Sequence, residues 1–201
     1  FSSSGSNRLL NTNNLKTSIT NDILYNSIDY FSDSGFKSNL DLYFRNLNSI
    51  GKNDESYTSS PQIDAMNIIK LDTSFPLFKT NEINVETLIP KISFRINPGN
   101  NMSNNSNSVS NINADNVFDI NRLGISNSYE AGKSLTLGID YKLDLTEDNS
   151  DPDTKDKYLE FKLATVVRDQ VETDIPTSST INKKNSDIFG SFDNNLFENI
   201  N

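Results

Sequence analysis

Polar and apolar residues alternate along this chain with a period of two. Phe36, Ser38, Leu40, Leu42 and Phe44 fall on one side of a run, while Lys37, Asn39, Asp41, Tyr43 and Arg45 fall on the other. That is the spacing of a β-strand with two chemically distinct faces. The alternation returns where Leu135, Leu137, Ile139, Tyr141, Leu143 and Leu145 oppose Ser134, Thr136, Gly138, Asp140, Lys142 and Asp144. It returns again where Leu159, Phe161, Leu163, Thr165 and Val167 oppose Glu160, Lys162, Ala164, Val166 and Arg168. Weaker runs cover Leu15 to Tyr30, with a phase change near Ile23 and Leu24 that predicts a β-bulge, Ile63 to Leu71, and Glu86 to Ile96. A seventh begins at Ser186. No stretch carries a 3.6-residue apolar stripe.

Length separates these runs from ordinary strands. Several exceed the about 5–6 residues of a soluble strand and reach the about 9–11 that a tilted membrane strand needs. Their connections alternate in style, from a tight turn at Ser32 to Gly35 to a long Asn/Ser-rich tract over residues 97–116, as in outer-membrane barrels with long loops on one rim. The expected fold is therefore all-β, an antiparallel up-and-down meander of about seven long strands. Bacterial single-chain barrels use even strand numbers from about 8 upward, so residues 1–201 are expected to be a partial barrel domain, an open arc of something larger. The opening on Phe1 and the stop at Asn201 fit a piece of a longer protein. Residues 97–116 are expected to form a mobile loop outside the membrane.

Composition narrows the chemistry. Histidine and cysteine are both absent, which removes Ser-His and Cys-His nucleophilic pairs, thiolate and imidazole metal sites and disulfides. An enzyme is not expected, nor a cofactor. Eighteen basic against 27 acidic side chains give a formal net charge of −9, which argues against a nucleic-acid clamp. Only 34 % of residues are apolar, below the about 45–50 % of globular domains. A wall that needs one apolar face per strand tolerates that.

Three motifs invite functions the sequence does not support. Gly132-Lys133-Ser134 ends like a phosphate-binding loop, but the preceding glycine is Gly124 and a strand pattern, not a helix, follows. Asp148, Asp151, Asp153 and Asp156 lack the glycine and terminal glutamate of a calcium loop. The glycan acceptor sequons at Asn101 and Asn104 are chance products of an Asn/Ser tract.

The segment NVFDINRLGISNSYEAGKSLTLGIDYKL resembles a barrel motif of the lipopolysaccharide-assembly outer-membrane protein family, LptD or OstA. Phe118, Asn121, Arg122, Leu123, Tyr129, Glu130, Gly132, Gly138, Ile139 and Tyr141 stand at matching places. A second stretch is similar to the family's leucine-rich strand through Pro76, Leu77, Leu88, Pro90, Phe94, Arg95 and Pro98. A third, near the carboxyl end, is similar through Lys183, Lys184, Ser186, Asp187, Ile188 and Gly190. Ser126, Asn127 and Ser128 depart from the Gly/Asp/Arg cluster usual in the first motif.

The resemblance implies a transport component of the bacterial outer membrane, with lipopolysaccharide as cargo. It also implies an LptE-like plug lipoprotein and a periplasmic bridge protein as partners. The apolar rows are then expected to face the lipid bilayer, and Lys37, Asp41, Arg45, Lys91, Arg95, Asp140, Lys142, Glu160, Lys162 and Arg168 to face a wet lumen. Those charges could equally pair across strands without any ligand. A porin-like barrel and a soluble β-sandwich or adhesin module are the competing readings. On the leading one, an arginine at Leu137 or Leu40 is expected to cost about 2–4 kcal/mol at the bilayer midplane, and the same change at Thr136 or Asn39 little.

Overall fold

The computed structural model describes residues 1–11, 14–54, 57–99, 111–124, 129–145, 157–172, 175 and 180–196. Among them ten strands form one antiparallel sheet: β1 (Ser2–Asn11), β2 (Asn14–Asn26), β3 (Tyr30–Phe31), β4 (Lys37–Lys52), β5 (Gln62–Ser74), β6 (Leu77–Thr80), β7 (Asn84–Asn97), β8 (Gly132–Leu145), β9 (Tyr158–Arg168) and β10 (Phe189–Asn194). Eight of them lie in chain order, β1-β2-β4-β5-β7-β8-β9-β10, while the short β3 and β6 pair β4 and β7. The meander is open, with β1 and β10 at its ends.

Two details depart from the sequence expectation. Strand β1 has no clear alternation because Ser, Gly and Asn dominate it, yet it pairs β2 from Ser2↔Asp22 to Leu9↔Leu15. The bulge expected at Ile23 and Leu24 is absent: the β2–β4 ladder runs from Leu15↔Lys52 to Asn26↔Asp41 without a register shift. Ile23, Leu24 and Tyr25 are all about half exposed, so side chains on both faces are uncovered there and the apolar pattern slips without the backbone following.

Register aligns the apolar positions into rows across the sheet. One row joins Leu40, Leu71, Phe94, Leu135 and Val167, and the next joins Thr73, Ile92, Leu137 and Thr165. A third joins Tyr141, Phe161 and Phe192. This face is bare: Leu71 is 45 % exposed, Phe94 41 %, Leu137 40 % and Phe161 37 %.

The opposite face is polar in sequence and covered in space. Asp41, Lys70, Arg95, Ser134 and Arg168 stand side by side on five adjacent strands, and all five are buried. They are covered by the connection between β7 and β8, whose described part includes a 3-10 turn at Asn116–Phe118, and by residues of the connection between β9 and β10. Val117, Leu123, Ile175 and Ile181 from these connections pack with Ala164 and Val166 of β9. A second core joins Ile120 and Tyr129 to Tyr43, Met66 and Ile68. Among the described residues the sheet thus has an inner layer on its polar side and none on its apolar side.

The Asn/Ser tract bears on this layer. Residues 100–110, with both sequons, and the Asp148, Asp151, Asp153 and Asp156 cluster lie outside the described residues. At the tract's far end the Asn113 side chain accepts hydrogen bonds from the backbone N–H groups of Asp115 and Asn116, at 2.9 and 3.0 Å. Ala114 beside it is buried. Residues 111–116 are therefore packed against the sheet.

Candidate functional site

Charge on the polar face converges on Glu130. Its Oε1 accepts from Arg95 Nη1 of β7 at 3.2 Å, from Arg168 Nη1 of β9 at 3.2 Å and from Arg122 Nη2 of the inner layer. The side chains of all four residues are at most 3 % exposed. Backbone groups fasten the same point: Arg95 Nη1 and Asn97 Nδ2 donate to the Glu130 carbonyl at 2.9 and 3.0 Å, and Arg168 Nη2 donates to the Ala131 carbonyl. Arg122 spans the gap between layers, donating to Thr136 Oγ1 at 2.9 Å and Ser134 Oγ at 2.8 Å on β8.

A buried carboxylate and buried guanidiniums are each expensive alone. Here Glu130 Oε1 serves all three guanidiniums, while Glu130 Oε2, Arg95 Nη2, Arg122 Nε and Arg168 Nε are buried with no hydrogen-bond partner among the described residues. Burial by itself would push the Glu130 carboxyl upward. The charges of Arg122, Arg95 and Arg168 outweigh it and hold the group at about 2. Glu130 is thus ionised across the physiological range, and the hub ties three segments separated in sequence.

Smaller clusters flank it. Arg45 grips Asp22 in bidentate fashion, Nε to Oδ1 and Nη2 to Oδ2 at 2.7 Å each, and the Tyr43 hydroxyl donates to the same Oδ1 at 2.9 Å. Tyr129 of the inner layer stacks against Tyr43, with ring centroids 4.8 Å apart. Lys70 bridges Asp41 at 3.3 Å and Asp72.

All ten charged residues expected on the lumen side stand on this face, and each is ion-paired within the protein. Lys37 meets Asp29, Lys91 meets Asp140, Lys142 meets Asp144, and Lys162 meets both Asp115 and Glu160. They do not share one environment. Asp41, Arg45, Arg95 and Arg168 are dry beneath the inner layer, whereas Lys142 and Lys37 have side chains about two-fifths exposed.

The motif residues come together as well. Arg122 and Glu130 form the hub, while Gly132 opens β8 with φ +84°, where an added Cβ would meet Arg168 Nη2 at 3.2 Å. Asn121 closes a turn by accepting from the Gly124 N–H at 3.2 Å. Farther along, Ser186 Oγ accepts from the Val166 N–H at 2.9 Å, the Asp187 N–H donates to Thr180 Oγ1 at 3.1 Å, and Gly190 pairs with Leu163. Sequence reasoning overlooked Lys70, Asp22 and Asp72. Lys70 was accessible through β5 periodicity, since it shares parity with the buried Met66 and Ile68.

Gly132-Lys133-Ser134 lies at the start of a strand and not before a helix, so its amides do not converge on a phosphate. Among the described residues no group of three or more His, Cys, Asp or Glu side chains is arranged to hold a metal ion. At the hub three guanidiniums share one carboxylate, and the arrangement fixes the connecting segments to the sheet. Compared with known protein families, curated proteins and solved structures, the chain matches none.

Proposed function

We propose that this chain is an arc of the wall of an outer-membrane β-barrel and that the barrel serves lipopolysaccharide transport and assembly. The observation that carries the membrane part is the contrast between faces: uncovered Leu, Ile and Phe rows on one side, buried charge on the other. In water each large apolar side chain forgoes, in proportion to the area left uncovered, part of the about 1.5–3 kcal/mol that its full burial contributes. A hydrocarbon environment removes that penalty and leaves the backbone groups satisfied by the ladder.

The transport part rests on the resemblance, supported by the way Arg95, Arg122, Glu130 and Gly132 from two of its motifs assemble around one point. Lipopolysaccharide as cargo, and a plug lipoprotein and periplasmic bridge as partners, follow from that resemblance. Depleting the protein in its source cell tests it. The expected result is loss of newly made lipopolysaccharide from the cell surface with accumulation inside. Normal surface lipopolysaccharide with reduced small-solute uptake would establish a porin-like barrel instead. Recovery of the chain as a soluble monomer without detergent would remove both.

A further inference from the structure

We infer that the inner layer is a resident permeability seal: the chain fills the lumenal side of its own wall, and Glu130 is the pin that holds the filling in place. The inference rests on the barrel reading and goes beyond it, since a barrel wall as such requires nothing on its polar face. A water-filled channel presents its polar side chains to solvent. Here Asp41, Lys70, Arg95, Ser134 and Arg168, one row across β4, β5, β7, β8 and β9, are between 3 and 8 % exposed, so the inner layer takes that level of the polar face out of water.

Two connections supply the filling, and both leave the same end of the sheet. Asn97 and Gly132, which flank the β7–β8 connection, pair with each other there, and Arg168, which opens the β9–β10 connection, is paired with Ser134 beside them. The described residues of both connections that enter the core lie over the sheet. Leu123 and Val117 of the first meet Ile175 and Ile181 of the second on Ala164 and Val166. Apolar contact provides the thickness of the seal, and the ionic hub fixes its position.

The hub suits that role because its members come from both layers. Arg95 and Arg168 belong to the wall, while Arg122 and Glu130 belong to the layer above it. Neutralising Glu130 removes the one negative charge that the three guanidiniums share and leaves them facing one another in a dry space. Repulsion then favours the arrangement in which water enters and the layers separate.

The test uses the full-length protein reconstituted into planar bilayers. Wild type is expected to give low ionic conductance, and Glu130→Gln to raise it several-fold with increased open-channel noise. A second construction separates an unpinned seal from general disruption. These 201 residues hold no cysteine, so in full-length protein with any cysteine elsewhere replaced by serine, Asp115→Cys and Lys162→Cys, which replace an ion pair of 2.8 Å between the layer and β9, can be bridged by a short bifunctional thiol reagent. In the Glu130→Gln background the bridge is expected to return conductance to the wild-type level, and reductive cleavage of the reagent to raise it again. Glu130→Gln protein that inserts normally with unchanged conductance overturns the inference, as does raised conductance that the bridge leaves untouched. Failure of the wild-type protein to insert at all overturns the barrel reading itself, a separate outcome visible before any current is recorded.

Discussion

Phe118 occupies the place where a side chain at position 138 would stand. A Cβ built on Gly138 would lie 2.6 Å from the Phe118 Cζ and 3.0 Å from its Cε2, and Lys91 Nζ caps the same ring at 4.5 Å from its centroid. The glycine in β8 is therefore a notch into which the inner layer docks.

Gly138→Ala is expected to destabilise the docked layer by about 1–3 kcal/mol, the usual range for overpacking. In a Phe118→Ala background the same change should cost markedly less, because the ring it collides with is gone. A double-mutant cycle on unfolding midpoints in detergent checks this, and additive effects would contradict the contact.

How far this arrangement could be read from sequence depends on which contacts make it. The faces of β4, β8 and β9 were legible because period-two alternation is a local property, and Leu42 and Asp41 declare their sides by chemistry alone. The inner layer was not, because its contacts join distant residues: Arg95 meets Glu130 across 35 positions and Arg168 meets Glu130 across 38. Nothing in the alternation distinguishes Arg95 from Lys91, two positions apart on one face, yet the Arg95 side chain is 3 % exposed and that of Lys91 23 %. The motif resemblance did select Phe118, Arg122, Glu130 and Gly138, which the structure joins, without indicating what joins them.

On the proposed membrane-barrel function, the exposed rows make a position-specific prediction in the full-length protein. Leu40→Arg should cost about 2–4 kcal/mol if the residue lies near the midplane, and Asn39→Arg, on the opposite face, should cost little. Leu137→Arg belongs with the first. Thr136→Arg does not belong with the second, contrary to the sequence expectation, because Thr136 is 2 % exposed and accepts from Arg122. An arginine there sets two guanidiniums together and is expected to undock the inner layer. Bilayer insertion should survive in Thr136→Arg while protease sensitivity rises within residues 111–124. Lost insertion in Thr136→Arg, or equal penalties at Leu40 and Asn39, would contradict these assignments.

The hub sets an acid limit on docking. Glu130 is held at about 2 against an ordinary 4.5, burial opposing the shift and the three arginines imposing it. A carboxylate depressed in the folded state contributes fully above its unfolded value and loses that contribution as pH falls through the folded one. Protease protection of the inner layer should therefore stay flat from pH 8 to about 5 and fall as pH drops from about 4.5 towards 2. In Glu130→Gln the protection should be weaker than wild type above about pH 4.5, without the acid-dependent fall, and the two should converge as pH approaches about 2. A transition near pH 6 to 7 would assign control to another group.

Arg45 separates charge from geometry. Its two 2.7 Å bonds to Asp22 need the forked guanidinium, and the same group lies 5.2 Å from the Tyr129 ring centroid, so one side chain ties β4 to β2 and to the inner layer at once. Arg45→Lys keeps the charge but holds one carboxylate oxygen and loses the planar stack. The expected loss is about 1.5–3 kcal/mol, the scale of a hydrogen bond to a charged group. If charge alone mattered, lysine would restore stability to the wild-type value. If the fork matters, Arg45→Lys and Asp22→Asn should fall together in unfolding midpoint, and combining them should add little, since each removes the same pair of bonds.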